Sequence, residues 1–240
     1  MKSFMGLRLD PVEEDGIFCF IRDAVRERRR VTITHLNVNS VNLAWDDPDF
    51  RSINRASDLV YCDGIGVRLA GRLAGIRVGR RVTATDWIYD YVRVFRSERL
   101  FYVGHHKDVL EPGLGVLRGL EPGLMASGHH GLFEKQGPEN EAVLDAIRAF
   151  APSVVMVGMG MPLQERWIRD NRARIDAPVV IAVGALLEWV SGRWKRSPDW
   201  VNRAGGEWLV RLGRQPQHTW RRYVIGNPLF IARFVAHLLL

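Results

Sequence analysis

Asp63 follows the apolar run Leu59-Val-Tyr-Cys62 and opens the turn Asp63-Gly-Ile-Gly66. A carboxylate at the carboxyl end of a buried strand, flanked by Gly64 and Gly66, sits where open α/β sheets bind ligands, and there it can take a proton as a general base. Read from this segment alone, Asp63 is more often simply the cap of the next helix. The second stretch is Ser153 to Trp167, Ser-Val-Val-Met-Val-Gly-Met-Gly-Met-Pro-Leu-Gln-Glu-Arg-Trp, which reads as strand, glycine turn and helix. Pro162 suits the first helical position, so unpaired N–H groups and the positive end of the helix dipole aim back at Gly158 and Gly160. Such a turn takes an anion, typically a phosphate. Gln164, Glu165 and Arg166 add polar groups to the first helical turn.

Three rival chemistries fail on spacing. Asp47-Pro-Asp49 matches the Asp-x-Asp pattern by which many sugar-nucleotide enzymes hold a divalent metal, but no strand precedes it. Asp47 as N-cap, Pro48 at the first position and Asp49 in the first turn make an ordinary helix start. The pairs His105-His106 and His129-His130 lack the Cys or carboxylate spacing of a zinc site, so no metal is expected. For a nicotinamide cofactor, Leu163 occupies the third glycine position and no strand-ending acid follows at the usual distance, so no cofactor is expected either.

Alternating elements must position these residues. The spacing predicts a short edge strand over Gly6–Asp10 and a helix over Ile17–Arg28. Strands are expected over Val31–Leu36, Asp58–Cys62, Arg99–Val103 and Pro178–Val183, the last followed by Gly184-Ala185. Helices are predicted over Val67–Leu73, after Thr85 or Asp86 as cap, and around Glu139–Phe150. This pattern gives an α/β fold, a Rossmann-like, mostly parallel sheet with helices on both faces. A chain of 240 residues suffices for one such domain, expected over 1–190, and a basic helical appendage over 191–240.

That appendage holds nine Lys and Arg against two Asp and Glu, so the whole net charge of +7 lies there, together with four of the eight tryptophans. Basic and aromatic residues interleaved suit an anionic membrane surface or nucleic acid. Ser197 with Pro198 begins one helical piece, Gly205 can end it, and Asn227-Pro228 begins a last, nearly apolar one. That piece is too short to span a bilayer, which needs roughly 20 apolar residues, but can lie in its interface or pack on protein. Cys19 and Cys62 read as buried thiols of a reducing compartment.

Taken together, the motifs resemble one family, the WecG/TagA/CpsF bacterial glycosyltransferases, along nearly the whole chain. The resemblance rests on Asn37, Asp63-Gly-x-Gly66, Arg81-Val-Thr-x-Thr-Asp86, Gly158-x-Gly-x-Pro-x-Gln-Glu-x-Trp167, Ser191-Gly192 with Arg196-x-Pro198, and Glu207-Trp-Leu-x-Arg-Leu212. It implies inverting transfer of a sugar from a UDP-sugar donor to an undecaprenyl-diphosphate-linked saccharide, without a required metal. The protein would act peripherally on the cytoplasmic face of the membrane, its appendage touching the anionic surface. Asp63 corresponds to the family's proposed base and Asn37 to its polar neighbour. Arg81, Arg211, Arg221 and the adjacent Arg222 fall where arginines contact the nucleotide diphosphate, with Asp86 and Gly184 in the same pocket. Departures are His35 where close relatives carry Thr, Ala84 and Ala185 where glycine is usual, and His218 where a tail arginine is common. A nucleic-acid-binding protein with a Trp-rich tail is the alternative; a homo-oligomer is left open.

Overall fold

The computed structural model describes residues 3–195, 207–214 and 216–239. Its centre is one six-stranded sheet, β1 (Val31–Leu36), β2 (Leu59–Cys62), β3 (Arg99–Gly104), β4 (Met125–His129), β5 (Val154–Gly158) and β6 (Val179–Ala182). The strand order is β2-β1-β6-β5-β3-β4, and every neighbouring pair is parallel. Strands buried on both faces read as unbroken apolar runs, which is why β5, Val-Val-Met-Val-Gly, is buried at every position.

One face is covered by α1 (Glu14–Arg26), α5 (Ala84–Val94), α6 (Lys107–Leu120) and α9 (Leu186–Val190), around Phe18, Trp87 and Tyr91. The other carries α2 (Val38–Asp46), α3 (Pro48–Ala56) and α4 (Ile65–Leu73) over β1 and β2, and α7 (Gly137–Phe150) and α8 (Leu163–Asn171) over β3, β5 and β6. The chain therefore leaves β1 and β5 toward one face, and β6, which lies between them, toward the other. Such a switch opens a crevice beyond the carboxyl ends of these strands.

Local sequence explains the helix starts. Asp47 accepts from Phe50 N at 3.0 Å with Pro48 inside the first turn, the cap read from sequence. Asn37 makes a capping box with Ser40 at the start of α2, and Thr83, not Thr85 or Asp86, is the N-cap of α5. Pro162 is the N-cap of α8, which starts one residue later than expected.

Several expectations need correction. Gly6–Asp10 is not a sheet strand: Phe4 and Leu7 form an isolated bridge, and Asp10 N reaches Val60 O at 2.8 Å beside the edge of β2. Cys19 is exposed, because α1 turns Ile17, Phe18, Ile21 and Ala24 inward and the intervening position outward; only Cys62 is buried. Helix α6 and strand β4 were not foreseen. Pro112 and Gly113, Gly115 and Gly119 disguise the helix, and Ser127 and Gly128 the strand.

Beyond α9 the described tail comprises α10 (Glu207–Arg214), α11 (Pro216–Trp220), a π-helical turn over Arg221–Ile225 and α12 (Gly226–Leu238). Helix α12 docks on α2. Phe230 and Phe234 enter the core beside Phe4, and Arg233 bonds Asp46 Oδ1 at 2.6 Å and Asn42 O at 2.9 Å. Ile231, Val235 and Leu238 lie on its exposed side. No helix among the described residues is long and apolar enough to cross a membrane. Arg196, Ser197, Pro198 and Gly205 lie outside the described residues.

Candidate functional site

The register of β1 with β2 pairs Leu36 with Cys62, which brings the next residues, Asn37 and Asp63, level at the carboxyl edge. Asp63 N donates to Leu36 O at 2.9 Å, and the side chain stands 25% exposed. Gly64, at φ +119°, is the N-cap of α4, so Asp63 does not cap that helix. Asn37 Oδ1 accepts from Ser40 N at 3.0 Å, which orients the amide so that Nδ2 donates to Asp63 Oδ2 at 3.2 Å. His35 Nε2 lies 3.6 Å from the same oxygen. Its Nδ1 is 3.2 Å from Ala182 O and, since a carbonyl only accepts, carries a hydrogen. Gly66 packs tightly under α2, where a Cβ would fall 2.6 Å from Val38 Cγ2.

Val82 N donates to Cys62 O at 2.9 Å, laying the Arg81 segment along the end of β2. Arg81 Nη2 lies 3.3 Å from Asp86 Oδ2. The Cys62 thiol registers the local field: burial first and the Asp63 charge second push it up to about 12, while Arg68 and Arg81 act against them. One carboxylate and two guanidiniums thus surround this strand end. Sequence reasoning missed Arg68, whose buried Nε has no hydrogen-bond partner among the described residues. Its place in α4, five residues past Asp63, is the signal that was available.

At the second stretch the strand ends converge. A Cβ on Gly158 would fall 1.9 Å from Tyr102 Oη and 2.7 Å from Gly184 O, so only glycine fits. Gly160 and Gly184 take left-handed conformations, φ +81° and +58°. Gln164 binds the two bends together: its backbone N donates to Gly160 O at 2.9 Å, its Oε1 accepts from Gly184 N at 3.0 Å, and its Nε2 donates to Glu165 Oε1 at 2.7 Å. Gln164 and Glu165 are both buried, and burial pushes the Glu165 carboxyl up while the Gln164 hydrogen bond and His35 act against it. Arg166 turns away to Asp47 Oδ2 at 2.5 Å; the Phe50 N–H, then Arg166, hold the Asp47 carboxyl low. Asp47 is thereby committed to a cap and an ion pair.

His105, at φ +59°, is half-buried, its side chain 8% exposed, with Nε2 3.0 Å from Tyr102 Oη and Nδ1 3.7 Å from Glu188 Oε1; desolvation of the ring brings it down to about 4. The His129 and His130 rings lie against each other, centroids 4.3 Å apart and tilted by 36°. Among the described residues no group of three His, Cys, Asp or Glu could hold a metal ion.

The structure thus gathers His35, Asn37, Asp63, Gly64 and Gly66, with Arg81 and Asp86 beside them, and joins Gly158, Gly160, Pro162, Gln164, Glu165 and Gly184 at the neighbouring strand ends. Arg221 and Arg222 lie in the turn before α12, next to Gly226, whose carbonyl accepts from Asn42 Nδ2 at 2.7 Å. Arg211 stands on α10 and His218 on α11, their side chains outside the described part.

The chain is similar to known proteins along most of its length. It is 30% identical over 192 residues to an N-acetylglucosaminyldiphosphoundecaprenol N-acetyl-beta-D-mannosaminyltransferase of Staphylococcus aureus (strain MW2), covering 76% of this chain and 74% of that relative. The Bacillus subtilis (strain 168) protein of the same name is 28% identical over 192 residues, 79% of this chain and 73% of its own. A family model described as Glycosyl transferase WecG/TagA/CpsF matches residues 2–240. With the match running through both strand-end clusters and the tail, the chain belongs to the WecG/TagA/CpsF family of glycosyl transferases.

Proposed function

We propose that the protein is an inverting glycosyltransferase that moves a sugar from a UDP-sugar to a polyprenyl-diphosphate-linked saccharide at an anionic membrane surface. The observation that carries this reading is the disposition of Asp63. Its Oδ2 faces Asn37 and His35, and its Oδ1 has no protein partner among the described residues. An acceptor hydroxyl placed at Oδ1 attacks the anomeric carbon from one side while the bond to the UDP oxygen breaks on the other. The hydroxyl proton passes to Asp63, and the bonding electron pair leaves with UDP. General-base help of this kind contributes about 10² to 10⁴ in rate.

The leaving diphosphate needs positive partners. Arg81 and Arg68 supply charge beside Asp63, and the bends at Gly158–Pro162 and Gly184 allow close backbone approach. Gln164 and Glu165, being buried, act as the brace between these bends. Arg211, Arg221 and Arg222 reach the donor when the tail closes over it, so these guanidiniums and backbone amides do the work without a resident cation. Residues 1–190 carry the proton-accepting and strand-end groups, and 191–240 add the tail arginines and the membrane contact. The relatives' names point to a lipid-diphosphate N-acetylglucosamine acceptor and to N-acetylmannosamine as the first donor sugar to try.

The test is a panel of UDP-sugars with a short polyprenyl-diphosphate N-acetylglucosamine acceptor and anionic vesicles, reading product formation and anomeric configuration. A β-linked product from an α-linked UDP-sugar meets the expectation. No product with any donor, or a product of retained configuration, refutes the reading.

A further inference from the structure

The His35 ring is buried, 9% exposed, and held at both ends. On the sheet side Nδ1 donates to Ala182 O of β6; on the crevice side Nε2 faces Asp63 Oδ2 at 3.6 Å. The Tyr61 ring of β2 packs against it at 5.7 Å, and the Glu165 carboxyl of α8 shares a small cavity with it. The imidazole is thus fixed by three elements before it meets Asp63. A neutral carboxamide, Asn37 Nδ2, faces the same Oδ2 at 3.2 Å. Two nitrogen groups converge on one carboxylate oxygen, and the other is left toward the crevice.

We infer that His35 is a positioning residue for Asp63: carbonyl and carboxylate oxygens only accept, so the ring that bridges them carries a hydrogen on each nitrogen, and, anchored on the Ala182 carbonyl, its Nε2–H holds Oδ2 and so presents Oδ1 to the acceptor hydroxyl. The inference rests on the glycosyltransferase reading for its consequence, but the contact itself does not. The 3.6 Å separation is an ion-pair distance that tightens to a hydrogen bond when substrate fills the crevice, as active-site contacts of unliganded enzymes commonly do.

Two isosteric replacements separate this role from space filling. In His35→Gln the amide nitrogen takes the place of Nε2 and keeps a donor toward Asp63. In His35→Asn it takes the place of Nδ1, keeping the Ala182 bond and losing the Asp63 contact. His35→Asn lowers kcat about 10- to 100-fold with donor KM unchanged, since a misdirected catalytic group costs on that order, whereas His35→Gln stays within about threefold of the wild type. A second readout is independent of turnover: in ¹⁵N-histidine-labelled protein, Asp63→Asn shifts the His35 Nε2 resonance. Equal turnover of the Asn variant and wild type, equal loss in both variants, or an unmoved resonance overturns the inference. A wild type that transfers no sugar from any donor, while Asp63→Asn still moves the resonance, sinks the functional reading and leaves the contact standing.

Discussion

Asn37 donates Nδ2 to Asp63 Oδ2 at 3.2 Å while its Oδ1 accepts from Ser40 N, so one amide both caps α2 and orients the carboxylate. The two duties can be separated. Ser ranks with Asn as an N-cap but is too short to reach Asp63. Asn37→Ser therefore keeps the melting temperature close to that of the wild type and lowers kcat, measured by thermal unfolding and by transfer assay on the same preparation. A fall in both together would mean that the amide matters only for folding.

Asp63→Asn removes the proton acceptor and keeps shape. Transfer falls by about 10² to 10⁴, and UDP binding, read by calorimetry, is retained. Because Asp63 does not cap α4, the substitution costs the helix no cap. Unchanged turnover would remove Asp63 from the chemistry.

The glycines of the bend differ in kind. At Gly158 a methyl group collides with Tyr102 Oη and Gly184 O, both held in the packed strand ends, so Gly158→Ala destabilises by more than about 2 kcal/mol. At Gly160 no atom lies within 4 Å of a Cβ, and the cost is the left-handed backbone alone, about 1–2 kcal/mol. Chemical denaturation of both variants checks the order. Equal losses would show that the Gly158 neighbours can move aside.

How much of this was legible follows from what is local. Asp63 with its glycines, the Asp47-Pro48 helix start and five of the six strands could be read because each is specified within a short window. β4 could not: as an edge strand, Met125-Ala-Ser-Gly-His129 is buried only at Ala126. The contacts that give Asp63 its setting were also hidden. His35 and Asn37 meet it only through the pairing of β1 with β2, His35 meets Ala182 only through that of β1 with β6, and Gln164 meets Gly184 only because β5 lies beside β6. The sequence offers no distance for such pairs, so Gln164 and Glu165 read as substrate-binding groups of the first helical turn, whereas both are buried and Gln164 braces the Gly160 and Gly184 bends.

His105 makes acid stability testable. Burial lowers its folded value to about 4, below the ordinary histidine value of about 6.5, so between these limits the unfolded chain binds more protons. Its contribution is complete above pH 6.5 and is lost as pH falls toward 4, a change of about 3 kcal/mol. Asn tolerates the left-handed backbone and does not titrate. His105→Asn therefore flattens the dependence of unfolding free energy on pH across this window. An unchanged slope would assign the acid sensitivity to other groups.

The last helix offers a separation that truncation cannot. Cutting the chain after Ser191 would remove the proposed membrane-facing surface together with Phe230 and Phe234, which complete a core cluster, so lost activity would be ambiguous. Ile231, Val235 and Leu238, spaced four and three residues apart, are instead 59%, 48% and 51% exposed on one side of α12. Nearby Arg221 and Arg222 carry positive charge, and each basic side chain near an anionic surface contributes about 1 kcal/mol. Replacing all three apolar residues with Glu removes the inserting face and adds repulsion, so binding to phosphatidylglycerol vesicles falls by more than about 100-fold. Surface substitutions at such positions shift stability by only about 0.5 kcal/mol each. Phe234→Ala does the reverse, costing about 3–5 kcal/mol of stability and leaving the exposed face in place. Sedimentation with anionic and neutral vesicles, alongside thermal unfolding, distinguishes the two. If the triple Glu variant sediments as the wild type does, this face of α12 does not meet lipid.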